Sequence, residues 1–173
     1  KQVVLSAIFD ETWNYEFAEL SFGSPDSPWK ALVLPRSGVR VTGRIDRVDV
    51  HFTGKERRVI DYKRGAQDER LVGVTSLQLP LYARVIEHET SARVSEGAYF
   101  RLLGKGTGPK AVRAAQWDNV LASSLSKADE TFLLARSGRI EPKPYDTLLC
   151  EKCSVSGVCR KPPFAIPEAE ELP

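Results

Sequence analysis

Two runs of alternating residues separated by a short turn constrain this chain more than any other feature. Val39–Phe52 reads VRVTGRIDRVDVHF and Arg58–Lys63 reads RVIDYK. The first run alternates with period two, placing Val39, Val41 and Ile45 on one parity, which is the pattern of a half-buried strand. Thr53-Gly54-Lys55-Glu56 between them carries turn residues, so the two runs read as a β-hairpin. On a strand, side chains two apart share a face, roughly 6.6–7 Å from each other. Asp61 and Lys63 therefore share a face, and Tyr62 points away. A turn centred on Thr53-Gly54 sets Asp46 opposite Asp61. A turn centred on Gly54-Lys55 sets it opposite Lys63. Either register leaves Asp46, Asp61 and Lys63 on one face unless a bulge intervenes.

Two carboxylates held close together resist ionising unless a cation sits between them. Mg²⁺ or Mn²⁺ relieves that repulsion and prefers oxygen ligands. Such an ion lowers the pKa of a water and stabilises charge developing on a phosphodiester oxygen. A neighbouring lysine orients the water and helps to deprotonate it, or steadies the charged transition state. The bland alternative is a solvated strand face, where Asp and Lys do nothing but stay wet. Three features weigh against it. The acids interrupt otherwise apolar strands, where a charge needs an explanation. Gly43 removes a side chain shortly before Asp46. A following helix carries Gln78 and Tyr82 four residues apart, hence on one face, although an ordinary amphipathic helix would do the same. Glu19, in AELSFG, is a candidate third carboxylate, against the reading of a solvated strand residue. Asp49 shares parity with Ile45 rather than Asp46, which predicts a structural role paired with an arginine such as Arg47 or Arg44.

The rest of the chain reads as an ordinary α/β alternation. The N-terminal stretch predicts a short helix leading into a strand near Tyr15–Phe22. Gly23–Pro28 is a loop, Ala31–Leu34 a short strand, and Pro35–Gly38 a turn. Gly65–Val72 is polar and loop-like. Thr75–His88 predicts a helix, with Leu77, Leu81 and Val85 spaced by four; Pro80 suits a first turn, so the helix begins near Leu77 or kinks. Glu96–Leu103 predicts a strand ended by GKGTGPK. Gln116–Arg136 predicts a long amphipathic helix with a stripe of Trp117, Val120, Leu121, Leu125, Ala128, Phe132 and Ala135, stopped by Ser137-Gly138. Beyond Ile140 the chain is Pro-rich. Residues 1–161 read as one domain and 162–173 as a Pro- and Glu-rich tail.

At 173 residues the chain fits one domain of ordinary size. No apolar run approaches the roughly 18 residues that span a membrane, and no secretory leader opens the sequence, so a cytoplasmic location is expected. A net charge of +2 permits a polyanionic partner without demanding one. The chain contains no methionine, even at position 1, and is expected to be a piece of a longer polypeptide. All three cysteines, Cys150, Cys153 and Cys159, fall in one short stretch, which points to metal or cluster ligands more than to a disulfide framework.

Taken in order, Gly43–Asp49 (GRIDRVD), Val59–Lys63 (VIDYK) and Gln78–Tyr82 (QLPLY) resemble the motifs of RecB-family nucleases within the PD-(D/E)XK superfamily. They are most similar to the nuclease domain at the C-terminus of AddB-type helicase-nuclease subunits. The upstream AELSFG fits the same resemblance, which covers roughly Glu19 to Arg160. It implies a restriction-endonuclease-like core, a mixed central sheet flanked by helices. It implies that Asp46 and Asp61 bind Mg²⁺ or Mn²⁺ with the Tyr62 main-chain carbonyl, that Lys63 is the catalytic lysine, and that Gln78 and Tyr82 are supporting polar residues. The implied activity is DNA cleavage, as an exonuclease, in double-strand break repair and recombination, with a helicase fused or associated. Cys150, Cys153 and Cys159 resemble part of an iron-sulfur staple in which a fourth, upstream cysteine completes a 4Fe-4S cluster. That cluster is expected to be absent or labile in this chain alone. Zinc is the weaker alternative. The family's upstream histidine has no counterpart, since His51 and His88 do not match. Two other readings share the motifs: an inactive nuclease fold that only grips DNA, and a stand-alone Cas4-like exonuclease.

Overall fold

The computed structural model describes residues 11–64, 72–73, 76–102, 110–113, 116–140, 150, 153–156 and 159, with backbone alone for 110–113. The chain divides into two compact units, 1–132 and 133–173. The N-terminal helix, the 65–71 part of the polar loop and the 162–173 tail expected from sequence lie outside the described residues.

In chain order the elements of the first unit are β1 (Trp13–Phe22), β2 (Leu32–Val33), β3 (Arg40–Val41), β4 (Gly43–His51), β5 (Glu56–Lys63), α1 (Gln78–Thr90), β6 (Arg93–Arg101), β7 (Lys110–Arg113) and α2, which starts at Trp117 and runs to Arg136. Five strands form one mixed sheet in the order β1-β4-β5-β6-β7, and β2 and β3 form a separate ribbon. The β5–β6 pair is parallel and the other neighbours are antiparallel. Parallel neighbours need a long crossover, which here contains α1. The architecture is the α/β class with a mixed sheet and packed helices that the sequence predicts.

The hairpin β4–β5 pairs Arg47 with Ile60 and Val48 with Val59, which centres the turn on Thr53-Gly54. Gly54 has φ +73 and donates its N–H to the His51 carbonyl at 2.7 Å. Glycine takes that left-handed geometry without a Cβ penalty. The run 39–52 is not one strand, however. It breaks at Thr42: Val41 pairs with Leu32 in the small ribbon, while Gly43 enters the main sheet opposite Phe22. A Cβ on Gly43 would lie 3.0 Å from the Phe22 ring and 3.4 Å from Tyr82, so the missing side chain lets β1 and α1 close over this strand.

Helix α1 starts after Leu77, the start near Leu77 that Pro80 in a first turn predicts, rather than at Thr75. Pro80 is then its third residue, in a turn whose N–H groups have no intrahelical partner, and it causes no break. Leu81 donates to the Leu77 carbonyl at 3.0 Å. The helix ends at Ser91, which takes the left-handed conformation and donates to Glu87. Its buried face, Leu79, Pro80, Ala83, Val85 and Ile86, joins Ile45, Val48, Val59, Val94 and Tyr99 in one core. Each fully buried aliphatic chain stabilises the fold by roughly 1.5–3 kcal/mol.

Trp117 opens α2 and seats its indole against Gly97, where a Cβ would come within 2.3 Å of the ring. The indole Nε1 donates to the Val94 carbonyl at 2.9 Å. The buried face of α2 follows Trp117, Leu121, Ser124, Ala128 and Asp129. Phe132, expected on that stripe, is 42% exposed. The helix is rotated toward Asp129 because that carboxylate accepts the Arg36 and Ser37 amides at 3.0 and 2.8 Å, closing the Pro35–Gly38 turn. Burial works against the Asp129 charge, but hydrogen bonds from Ser37 and the Arg36 amide, with the Arg36 charge, outweigh it and hold the carboxyl below its usual range. Strand β7, which sequence reading ended short of, completes the sheet edge.

In the second unit, Gly138 (φ +80) stops α2 as expected. Gly138 donates to Ala135 and Arg139 to Leu134, both at 3.0 Å, which is the Schellman arrangement.

Two outcomes follow from this packing. Gly97→Ala forces the indole to move and is expected to lower stability by about 1–3 kcal/mol, read from urea unfolding. Asp129→Ala is expected to lower the urea midpoint at neutral pH. Because the folded carboxyl is depressed, its contribution is present above the ordinary carboxylate range and fades as pH falls through the folded value. The gap between Asp129→Ala and the parent should therefore narrow in acid.

Candidate active site

Asp61 stands near the end of β5 and is 2% exposed. Its Oδ1 accepts a hydrogen bond from Gln78 Nε2 at 2.8 Å. Its Oδ2 lies 2.7 Å from Lys63 Nζ, yet this contact lacks hydrogen-bond alignment, and Oδ2 is left buried without a directed donor. Lys63 Nζ donates to Gln78 Oε1 at 2.9 Å. The Gln78 amide thus bridges the pair: its oxygen faces the ammonium, which only donates, and its nitrogen faces the carboxylate, which only accepts. Gln78 Nε2 is also 3.3 Å from the Tyr82 hydroxyl, one helical turn on. The Tyr82 ring packs edge-on against Phe22 at 5.8 Å, which anchors it from β1.

Asp46 follows the same register. Extending the Arg47–Ile60 pairing by one step sets it opposite Asp61. Its Oδ2 accepts the Tyr62 amide at 2.9 Å, so a side chain takes the place of a ladder carbonyl where β4 and β5 part. The Asp61 carboxyl is pushed up by burial, which Lys63 opposes and the Asp46 charge reinforces. Burial pulls Lys63 down, but Asp61, with Tyr99 and Asp46, outweighs it and holds Lys63 above its usual value as a cation. The structure brings Asp46, Asp61, Lys63, Gln78 and Tyr82 into one connected site.

Glu19 does not join them. It occupies the gap between the pairs Ala18–Arg47 and Leu20–Ile45, with φ 51, and its carboxylate pairs with Arg44 Nε at 3.0 Å on the surface. Asp49 lies on the opposite sheet face and is fully buried. Arg47 binds it at 2.6 Å and Arg58 at 2.8 Å, so Arg47, not Arg44, is the expected partner found. Tyr62 also points to that face, its ring edge-on to Phe100 at 5.8 Å. Sequence reading missed Tyr99 and Ser76. The Tyr99 ring underlies Lys63 Nζ at 5.3 Å, and its hydroxyl is 2.6 Å from Ser76 Oγ. Tyr99 lies in a predicted strand, but nothing local in the sequence tells which strand it neighbours.

Residues 5–160 match the family profile described as the PD-(D/E)XK nuclease superfamily. The chain belongs to this superfamily. Its site therefore lies in a nuclease domain, in a superfamily whose members are generally metal-dependent. No curated protein matches. Among solved structures, the crystal structure of SSO0001 is similar with a TM-score of 0.42 and 14% identity, over 91% of this chain and 66% of that one. The chain thus spans about two thirds of that protein's length.

The candidate site fits a hard divalent ion by its donor chemistry. The Asp46 and Asp61 carboxylates are close enough to influence each other's charge, and Asp61 Oδ2 is a buried oxygen with an ion-pair neighbour but no aligned donor. Mg²⁺ takes one or two protein carboxylates and fills its shell with water and phosphate oxygens, so two acids suffice. Among the described residues no group of three His, Cys, Asp or Glu side chains is placed to hold a metal.

The cysteines sit in the second unit on successive turns: the Cys153 amide is 3.3 Å from the Cys150 carbonyl, and Cys159 donates to Val155 at 3.0 Å. All three are free thiols. Three thiolates do not complete a four-thiolate cluster.

Gln78→Leu is expected to remove the amide that orients Lys63 and Asp61, leaving only their direct ion pair, while keeping the helix. Partners of this kind cost about 10–100-fold when removed, and DNA cleavage by the variant, compared with the parent at saturating Mg²⁺, measures it.

Proposed function

We propose that this chain is the DNA-cleaving domain of a RecB-like helicase-nuclease of the AddB type, hydrolysing phosphodiester bonds with Mg²⁺ or Mn²⁺ and acting as an exonuclease. The observation that carries the reading is the Gln78 bridge between buried Asp61 and Lys63, with Asp46 beside them in register. An inactive DNA-binding module has no use for a buried carboxylate whose second oxygen lacks a directed donor.

In this reading Asp46, Asp61 and the Tyr62 main-chain carbonyl hold the metal, which supplies an activated water and neutralises charge on the phosphate. Lys63, kept cationic by its neighbours, steadies negative charge developing on the scissile phosphate rather than acting as a base. Gln78 fixes the Lys63 rotamer and the Asp61 carboxylate plane, and Tyr82 fixes Gln78. Glu19, released from Arg44, is the candidate for an additional carboxylate. The polyanionic substrate is DNA, and a helicase, fused or associated, supplies it. Cys150, Cys153 and Cys159 supply three ligands of a 4Fe-4S cluster completed from elsewhere in the polypeptide. No helix among the described residues is long and apolar enough to cross a membrane.

The native protein is expected to cut DNA with Mg²⁺ or Mn²⁺ and to stop in EDTA. Asp61→Ala and Lys63→Ala are expected to lose about 10²-fold or more in rate while still folding and binding DNA. Wild-type digestion by Lys63→Ala would remove Lys63 from the chemistry. For the cysteines, iron and acid-labile sulfide in the native polypeptide, purified without oxygen, are the expected finding; stoichiometric zinc without iron contradicts a cluster.

A further inference from the structure

Beside Lys63 on β5 stands a second cation that sequence reading did not single out. The parallel ladder pairs Asp61 with Tyr99 and Lys63 with Arg101. Register partners on neighbouring strands point to the same sheet face, and so do Tyr99 and Arg101, two apart on β6. The position of Lys63 Nζ over the Tyr99 ring fixes that face as the one carrying the site. The Leu102 amide donates to the Lys63 carbonyl at 2.9 Å, so the pairing continues past both residues. Lys63 and Arg101 therefore close the carboxyl ends of adjacent strands, about 4.8 Å apart. Ligands of α/β sheets gather at such strand ends.

The two cations differ in what holds them. Lys63 is committed to Asp61 and Gln78. Arg47, Arg57 and Arg58 are each bound to a carboxylate within the sheet. Arg101 is half-buried, and its Nε is buried with no hydrogen-bond partner among the described residues. A buried guanidinium N–H without an acceptor is costly, and an arriving anion relieves that cost. The guanidinium fork matches two phosphate oxygens at once, which an ammonium cannot do.

We propose that Arg101 is a phosphate-binding residue of the active site, gripping the nucleic-acid backbone beside the phosphate that Lys63 faces. This rests on the nuclease reading above. Its role is to hold the strand in place over Asp46 and Asp61, so it acts on binding more than on the chemical step.

The test measures DNA binding by the native protein without divalent metal, over a range of salt, and cleavage kinetics with Mg²⁺. Each phosphate contact on duplex DNA contributes about −0.9 to the slope of log K against log salt. Arg101→Gln is expected to reduce that slope by about one contact and to raise KM about tenfold, with a smaller effect on kcat. Arg101→Lys keeps the charge and is expected to restore the slope while KM stays raised, because the fork is lost. Parent slope and parent KM in both variants would overturn the proposal. Failure of both variants to fold, seen by thermal unfolding, would make Arg101 structural and overturn it too. Binding is read without cleavage, so a parent that grips DNA but never cuts it would refute the nuclease reading and leave the Arg101 slope as a separate result.

Discussion

Asp61 is a carboxylate placed where water does not reach, and the site is organised around the problem this creates. Burial and the nearby Asp46 charge both disfavour its ionised form, while Lys63 favours it. The compensation is incomplete: Gln78 satisfies one oxygen, and the other has an ion-pair neighbour without a directed hydrogen bond. A buried acid whose second oxygen is held by an ion pair without an aligned donor is costly to fold alone. In the proposed reading a divalent cation would remove that deficit, with Asp46 and the Tyr62 main-chain carbonyl beside it.

The other buried acid of the hairpin shows that the deficit is not forced by the fold. Asp49, on the opposite face, has both oxygens bound: Arg47 reaches Oδ1 and Oδ2, and Arg58 reaches Oδ2. The Arg58 guanidinium in turn rests 5.0 Å from the Trp13 ring. The same pair of strands thus buries one acid fully matched and one partly matched. The first ties β4 to β5. The second is ion-paired to Lys63, and the Gln78 amide bridges the two.

Much of this was legible in the sequence because period two is a strict rule. Once VRVTGRIDRVDVHF and RVIDYK are strands of one hairpin, Asp46, Asp61 and Lys63 have little choice of face, and the helical spacing of Gln78 and Tyr82 follows from elementary geometry. The choice between two registers was not legible; the left-handed Gly54 decides it. The break at Thr42 was hidden because both halves keep alternating while belonging to different sheets. Tyr99 and Arg101 were hidden for a deeper reason. They reach the site by parallel pairing across a crossover, and no local pattern encodes which residue of β6 lies beside which residue of β5. Asp129 escaped because a hydrophobic stripe assigns helix faces by apolar residues, whereas here two backbone amides of a distant turn fix the rotation.

The proposed chemistry needs Asp46 and Asp61 to share one divalent ion. Anomalous diffraction from crystals of the protein soaked in Mn²⁺ tests it most directly. The expected result is a single strong anomalous peak between the two carboxylates, next to the Tyr62 carbonyl and beside Asp61 Oδ2. A protein that cuts DNA with Mn²⁺ yet shows no peak there, or binds its ion away from Asp61, would contradict it.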